Sequence, residues 1–204
     1  MMTIYQYLKF SSICIFSLSL FACESEFGKQ AQTFDNKLYY DLKGELEQQI
    51  VLLSQQNPEV EITARIGEKE ESERVQKDST AWAEALKLFM DADLNKAVLR
   101  DQYVVEDSTA TDSGLQIRLY RAKDKSSVDI PFMEVSFEDS PEHVKAVKAT
   151  FQEENLLYST YRDMHLYFEK ADEQLRLTEY VIQGKQKMIL RDSVFYLTQG
   201  TLYY

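Results

Sequence analysis

The chain has little of what staples, bends or catalyses. Its two cysteines are Cys14, inside an apolar N-terminal run, and Cys23, at the end of that run. The body beyond them has no cysteine with which to form a disulfide and must rely on its core. Six scattered glycines cannot supply a phosphate-cradling loop or a dinucleotide fingerprint, and no nucleophile elbow is present. His143 and His165, the only histidines, sit in separate segments and have no free thiol to join, which excludes a His/Cys zinc site. With three prolines as well, the chain is neither loop-rich nor low in complexity. Positive charge is also short: 23 Lys and Arg against 34 Asp and Glu give a net −11. No dense basic stripe occurs. Phosphate backbones repel such a body, so nucleic acid is not an expected partner. Direct adsorption to an anionic lipid surface is disfavoured for the same reason.

Apolar residues are plentiful at 44%, and aromatics reach 12%, so the body should fold, with a bias towards strands. The N-terminus has its own pattern. Residues 1–9 hold Lys9 as their one charge. Phe10 to Ala22 is then a continuous apolar or small-residue run. It suits the apolar region of an export signal and is too short to span a bilayer as a helix. The run ends at Leu20-Phe21-Ala22-Cys23. This resembles the lipobox of bacterial lipoproteins, with Phe21 standing where the commonest lipoboxes carry a small residue. The resemblance covers about the first 26 residues. It implies cleavage before Cys23, a diacylglyceryl group on the Cys23 sulfur and acylation of the new α-amine. Two or three acyl chains would anchor the chain firmly, since each buried CH₂ contributes about 0.8 kcal/mol and one chain alone is marginal. Glu24-Ser25-Glu26 resembles the acidic surface-export signal of some Gram-negative lipoproteins. The expected address is therefore the outer membrane, facing periplasm or cell surface. The expected segments are a signal peptide (1–22), a lipidated tether (23–34) and one domain (35–204).

In the body, Leu38, Leu42, Leu46, Ile50 and Leu53 recur at helical spacing and predict a helix over 35–56, capped by Asp35 and stopped by Asn57-Pro58. Residues 59–76 alternate like a charged hairpin turning at Gly67-Glu68. Asp78 or Ser79 caps a second helix with Trp82, Ala85, Leu86 and Phe89 on its apolar stripe. Asp93 caps a third, short one with Leu94 and Val98 inward. From Tyr103 the period becomes two. Strands are expected at 103–106, 115–121, 128–138, 156–169, 175–182, 187–190 and 194–204, with tight connections at Ala171-Asp172-Glu173 and Gly184-Lys185. Pro131 puts the start of the third of these at an edge or bend. Residues 144–152 read as helix or strand. The stretch 156–169 exceeds the usual strand length of about five to six residues, so it is long and curved or broken by a bulge. The fold class is α+β: N-terminal helices on a curved antiparallel meander. This order of elements also fits an open half-barrel, by topological analogy with lipoprotein carriers.

Chemistry-bearing patterns are sparse. His165 lies near Asp163 on one strand face, but residues two apart on a strand need not touch, and a solvent-facing histidine is the simpler reading. Asp91-Ala92-Asp93-Leu94-Asn95 begins like a calcium loop and fails at Lys96 and Gln102, where glycine and a bidentate glutamate are required. The Glu68–Glu73 cluster reads as a solvated hairpin tip. Asp78-Ser79-Thr80, Asp107-Ser108-Thr109 and Asp192-Ser193-Val194 resemble short O-glycosylation acceptors, although cap and turn chemistry explains such pairs equally. Tyr120, Tyr158, Tyr161, Tyr167, Tyr180, Tyr196, Tyr203 and Tyr204 crowd the sheet half. They either line the core or display a surface for lipid, peptide or sugar. The sequence thus supports Cys23 as lipid attachment site, with no catalytic, cofactor or metal residue assigned. The expected role is a non-enzymatic interaction or small-ligand module. The alternatives are a half-barrel carrier of an apolar ligand and a carboxylate-dependent envelope hydrolase.

Overall fold

The computed structural model describes residues 37–172 and 174–204. The expected signal peptide, Cys23, the tether and the Asp35 cap lie outside these residues. The described chain runs α1 (Leu42–Gln56), β1 (Glu59–Ile66), β2 (Lys69–Gln76), α2 (Ser79–Asp91), a single 3-10 turn (Ala97–Leu99), β3 (Tyr103–Thr109), β4 (Gln116–Ala122), β5 (Phe132–Phe137), β6 (Val144–Glu154), β7 (Tyr158–Ala171), β8 (Gln174–Met188) and β9 (Val194–Tyr203). The strands form one sheet in the order β2-β1-β9-β8-β7-β6-β5-β4-β3, and every neighbouring pair is antiparallel. β2 and β3 are its edges, so the sheet is open. This is an α+β architecture, richer in strand than in helix.

Both helices use one side of the sheet. Leu42, Leu46 and Leu53 of α1 are fully buried, as are Trp82, Leu86 and Phe89 of α2. They join a core with Val60, Tyr120, Met133, Val135, Val147, Met164, Leu166, Leu177 and Tyr180 from the strands. Burying each Leu or Phe side chain contributes about 1.5–3 kcal/mol, so this single layer of contact is the main source of stability. Phe89 meets Tyr180 edge-on with centroids 6.4 Å apart. The hairpin of β1 and β2 turns at Gly67 (φ +60°), which the sequence signalled.

The first helix begins later than its leucine spacing suggested. Asp41 is the cap, accepting the Gly44 N–H at 3.1 Å, and Leu38 is 56% exposed instead of joining the stripe. The cause is tertiary: Asn95 holds the Tyr39 and Tyr40 backbone in a non-helical path, and the Tyr40 N–H donates to the Tyr120 hydroxyl. α2 is capped by Asp78, as anticipated. The third helix is replaced by the 3-10 turn after Lys96. Asp93 bonds Asn95 instead of capping it, and Val98 points to solvent while Leu94 is buried. Residues 144–154 resolve as strand. β7 carries the bulge anticipated for so long a strand, at Tyr167/Phe168. β8 is a single strand of 15 residues, so Gly184-Lys185 is mid-strand and not a turn; the reversal falls at 189–193.

Candidate functional site

The side of the sheet away from the helices carries a mixed polar and aromatic patch. Two adjacent rows cross it. One runs Asp163, Gln183, Leu197, Arg65 across β7, β8, β9 and β1; the other runs Tyr161, Lys185, Phe195. The alternation of strand side chains puts all seven on one face. Together they line a concavity of about 400 Å³ that Gly67 at the β1–β2 turn helps to close. The Gly67 N–H donates to the Phe195 carbonyl at 3.0 Å, which fixes this turn against β9.

The site joins an aromatic wall to a charged floor. Phe195 is 63% exposed and Tyr161 39%, unusual for rings that have a core available. The Tyr161 hydroxyl donates to Asp163 Oδ1 at 2.9 Å, and Thr150 donates to the same oxygen at 3.2 Å. Partial burial, then the Asp163 carboxylate, hold the Tyr161 phenol above its ordinary pKa, so it stays a donor. Arg65 pairs loosely with Glu70 at 3.8 Å. Asp163 is the single carboxylate among the described residues lining the concavity.

Gly184 and Tyr196 form the other side of this stretch of sheet. A β-carbon on Gly184 would lie 2.2 Å from the Tyr161 carbonyl oxygen and 2.8 Å from the Tyr196 hydroxyl. That hydroxyl accepts the Arg162 Nε–H at 3.0 Å, and the Arg162 guanidinium stacks on Phe151 at 4.6 Å.

The residues singled out from sequence scatter. His165 is on the same face and feels the Asp163 charge, but its hydrogen-bond contact is to Tyr167, whose hydroxyl lies 3.4 Å from its Nδ1. Burial, then the Lys148 charge, push its pKa below the usual 6.5. His143 meets Lys170 at 3.2 Å. The tyrosines divide. Tyr120 and Tyr180 are core, while Tyr161, Tyr167 and Tyr203 occupy the open face. Tyr203 donates to Glu61 at 2.9 Å and carries the Arg74 guanidinium 4.6 Å above its ring. Of the Asp-Ser sites, Asp78 caps α2, Asp107 forms a two-point pair with Arg118 and Asp192 lies in the β8–β9 turn. Among the described residues no three His, Cys, Asp or Glu side chains gather as a metal site, and no helix is long and apolar enough to cross a membrane.

Arg65, Gln183, Lys185, Phe195 and Leu197 were not singled out from sequence. The alternation of Phe195, Leu197 and Gln199 marks a face, but only the register across four strands brings them to Tyr161. Comparison with family models, with curated proteins and with solved structures finds no match for this chain.

Proposed function

We propose that the protein is a non-enzymatic outer-membrane lipoprotein, anchored through acylated Cys23, whose domain binds a small polar ligand on the open face of its sheet. The observation that carries the binding half is the concavity where Tyr161 and Phe195 stand beside Arg65, Gln183, Lys185 and Asp163. Rings supply stacking area; the amide, the cations and the carboxylate supply directional hydrogen bonds. That mixture suits a sugar or a short peptide of the envelope. The bulges at Tyr167/Phe168 and Ser136/Phe137 favour a bent sheet whose open side is hollow.

An apolar carrier is the weaker reading. The space between sheet and helices, where a lipid would lodge, is occupied by Trp82, Leu86, Phe89, Met164 and Tyr180. Hydrolysis of a glycosidic bond needs two carboxyl groups about 5–10 Å apart, and Asp163 stands alone among the described lining residues.

Ligand-observed NMR with fractionated envelope glycans and peptides tests the proposal on the purified acylated protein. Signal transfer to a sugar or peptide should vanish in the Tyr161→Ala and Phe195→Ala variants. Transfer that survives both, or none from any fraction, would sink the assignment of this face.

A further inference from the structure

Cross-strand pairing compensates charge along much of the open face. Arg65 stands opposite Glu70, Arg74 opposite Glu61 and Lys148 opposite Glu134, each within ion-pair distance. Two lysines depart from this. Lys185 stands between Tyr161 on β7 and Phe195 on β9, and Lys187 stands opposite Ser159. Two residues apart on one strand, they share the open face at about 7 Å from each other. A third cation, Lys125, comes from the β4–β5 connection. Its carbonyl accepts the Gln152 side-chain N–H at 2.7 Å, and Gln152 lies opposite Tyr161. Lys125, Lys185 and Lys187 enter none of the ion pairs among the described residues. That is unexpected in a chain with 34 acidic side chains against 23 basic ones.

The three lysines border a second hollow of about 460 Å³, which has Tyr161 and Lys185 in common with the first. Its carboxylates are Glu153 and Glu154. Glu153 accepts the Tyr158 hydroxyl, and Glu154 is separated from Lys187 by Ser159 on the row between them. The hollow is therefore not a strongly positive patch; what singles it out is that Lys185 and Lys187 face uncharged partners across the ladder. From the row of Asp163 and Gln183 to the row of Ser159 and Lys187, the joined hollows cover about 13 Å of strand. That is the length of a short chain, not of a single ring. Around Tyr161 and Lys185 the β6–β7, β7–β8 and β8–β9 ladders are continuous, so main-chain groups are used within the sheet. A peptide recognised by strand addition needs an open edge. Here the ligand meets side chains: rings, an amide, hydroxyls and ammonium donors, which suit a sugar that carries a negative group.

We infer that the ligand of the open face is a short acidic glycan that spans both hollows. One sugar ring packs against Tyr161 and Phe195, and a carboxylate or phosphate of the chain lies among Lys185, Lys187 and Lys125. This rests on the reading of the open face as a binding surface, and it adds the charge and the length of the ligand. An anion between Lys185 and Lys187 relieves the repulsion of two like charges on one strand and supplies the partner that the ladder leaves out.

The test is titration calorimetry on the full-length acylated protein in detergent, with four sugars and one peptide. The sugars are trigalacturonic acid, its carboxyl-reduced form, and maltotriose with and without a phosphate; the peptide is triglutamate. At least one acidic sugar should bind about tenfold more tightly than its neutral counterpart, and which one does so separates carboxylate from phosphate. Replacing both lysines (Lys185→Gln with Lys187→Gln) should erase that preference, as should high salt. Tyr161→Ala should weaken acidic and neutral sugars alike. Equal binding of acidic and neutral sugars, lost in Tyr161→Ala and unchanged in the double lysine variant, overturns the inference and leaves the binding face standing. Lysine-dependent binding of triglutamate without binding of either acidic sugar assigns the anion to a peptide and also overturns it. Binding of none of the five overturns it too, and the screen of envelope fractions then decides separately whether the face binds anything.

Discussion

Gln49 and Leu177 lie 128 residues apart, and the Gln49 side-chain oxygen accepts the Leu177 N–H at 2.9 Å. The same amide donates to the Leu175 carbonyl at 2.9 Å. These groups need help because β8 outruns β9: their pairing begins at Glu179, leaving the edge of residues 175–177 without a strand partner there. The Tyr204 hydroxyl completes the patch by donating to the Leu177 carbonyl at 2.7 Å. A helix side chain and the Tyr204 hydroxyl thus replace the missing ladder.

Gln49→Leu should therefore destabilise the domain although it puts an apolar residue on the buried stripe of α1. Gln49 is 1% exposed, so an unpaired Leu177 N–H would be left dry. The expected cost is about 1–3 kcal/mol, read as a lowered urea midpoint with unchanged slope. A Gln49→Leu variant as stable as the parent would show that the edge finds another partner.

Gly184 and Gly200 fill equivalent needs with different consequences. A β-carbon at Gly200 would meet the Tyr180 ring at 2.3 Å; at Gly184 it would meet the Tyr161 backbone oxygen at 2.2 Å. The buried Tyr180 ring can give a little by local repacking, and a paired strand gives less. Gly184→Ala should cost about 3 kcal/mol, and Gly200→Ala about 1–2 kcal/mol. Combining Gly200→Ala with Tyr180→Leu should cost less than the sum of the two changes. Thermal unfolding of the four variants checks the ranking.

Gly184 also shows where sequence reasoning ran out. Glycine beside lysine reads as a turn signal, whereas the residue is there because Tyr161 and Tyr196 crowd it from neighbouring strands. Local pattern was sufficient for the 59–76 hairpin and for α2 with its Asp78 cap, because each depends on neighbours within a few residues. It failed for the start of α1, where Asn95 and Tyr120 override leucine spacing. It also left out Arg65, Lys185 and Phe195, since nothing within β1, β8 or β9 records that they share a hollow.

His165 should make stability depend on pH. Its pKa is depressed in the folded protein, first by burial and then by Lys148, with Asp163, Glu134 and Glu179 opposing. The unfolded chain therefore binds a proton more readily. The His165 contribution is fully present above its ordinary value of 6.5 and is lost as pH falls from there towards the folded pKa. Below that point it is constant. His165→Gln should flatten the fall of the urea midpoint as pH drops below 6.5, measured against the parent. A parental slope retained in the variant would assign the effect to other groups.

The proposed anchor at Cys23 allows a sharp substitution. Transfer of a diacylglyceryl group needs a sulfur nucleophile, which a thiol with an ordinary pKa near 8.5 supplies and a serine hydroxyl does not. Cys23→Ser removes little volume and leaves the apolar run of 10–22 intact, so export itself should continue. The expected product is an unlipidated precursor that keeps its leader, or a diverted species. Intact-mass measurement distinguishes these from the parent, whose mature chain should begin at Cys23 and carry added acyl mass. Each acyl chain buries many CH₂ groups at about 0.8 kcal/mol apiece, and two chains make release slow. Membrane retention should therefore follow the acyl mass, and salt should not extract the parent. A Cys23→Ser chain that is cleaved normally and stays with the membrane through a high-salt wash would remove the lipid from the account and put the burden of attachment on the leader.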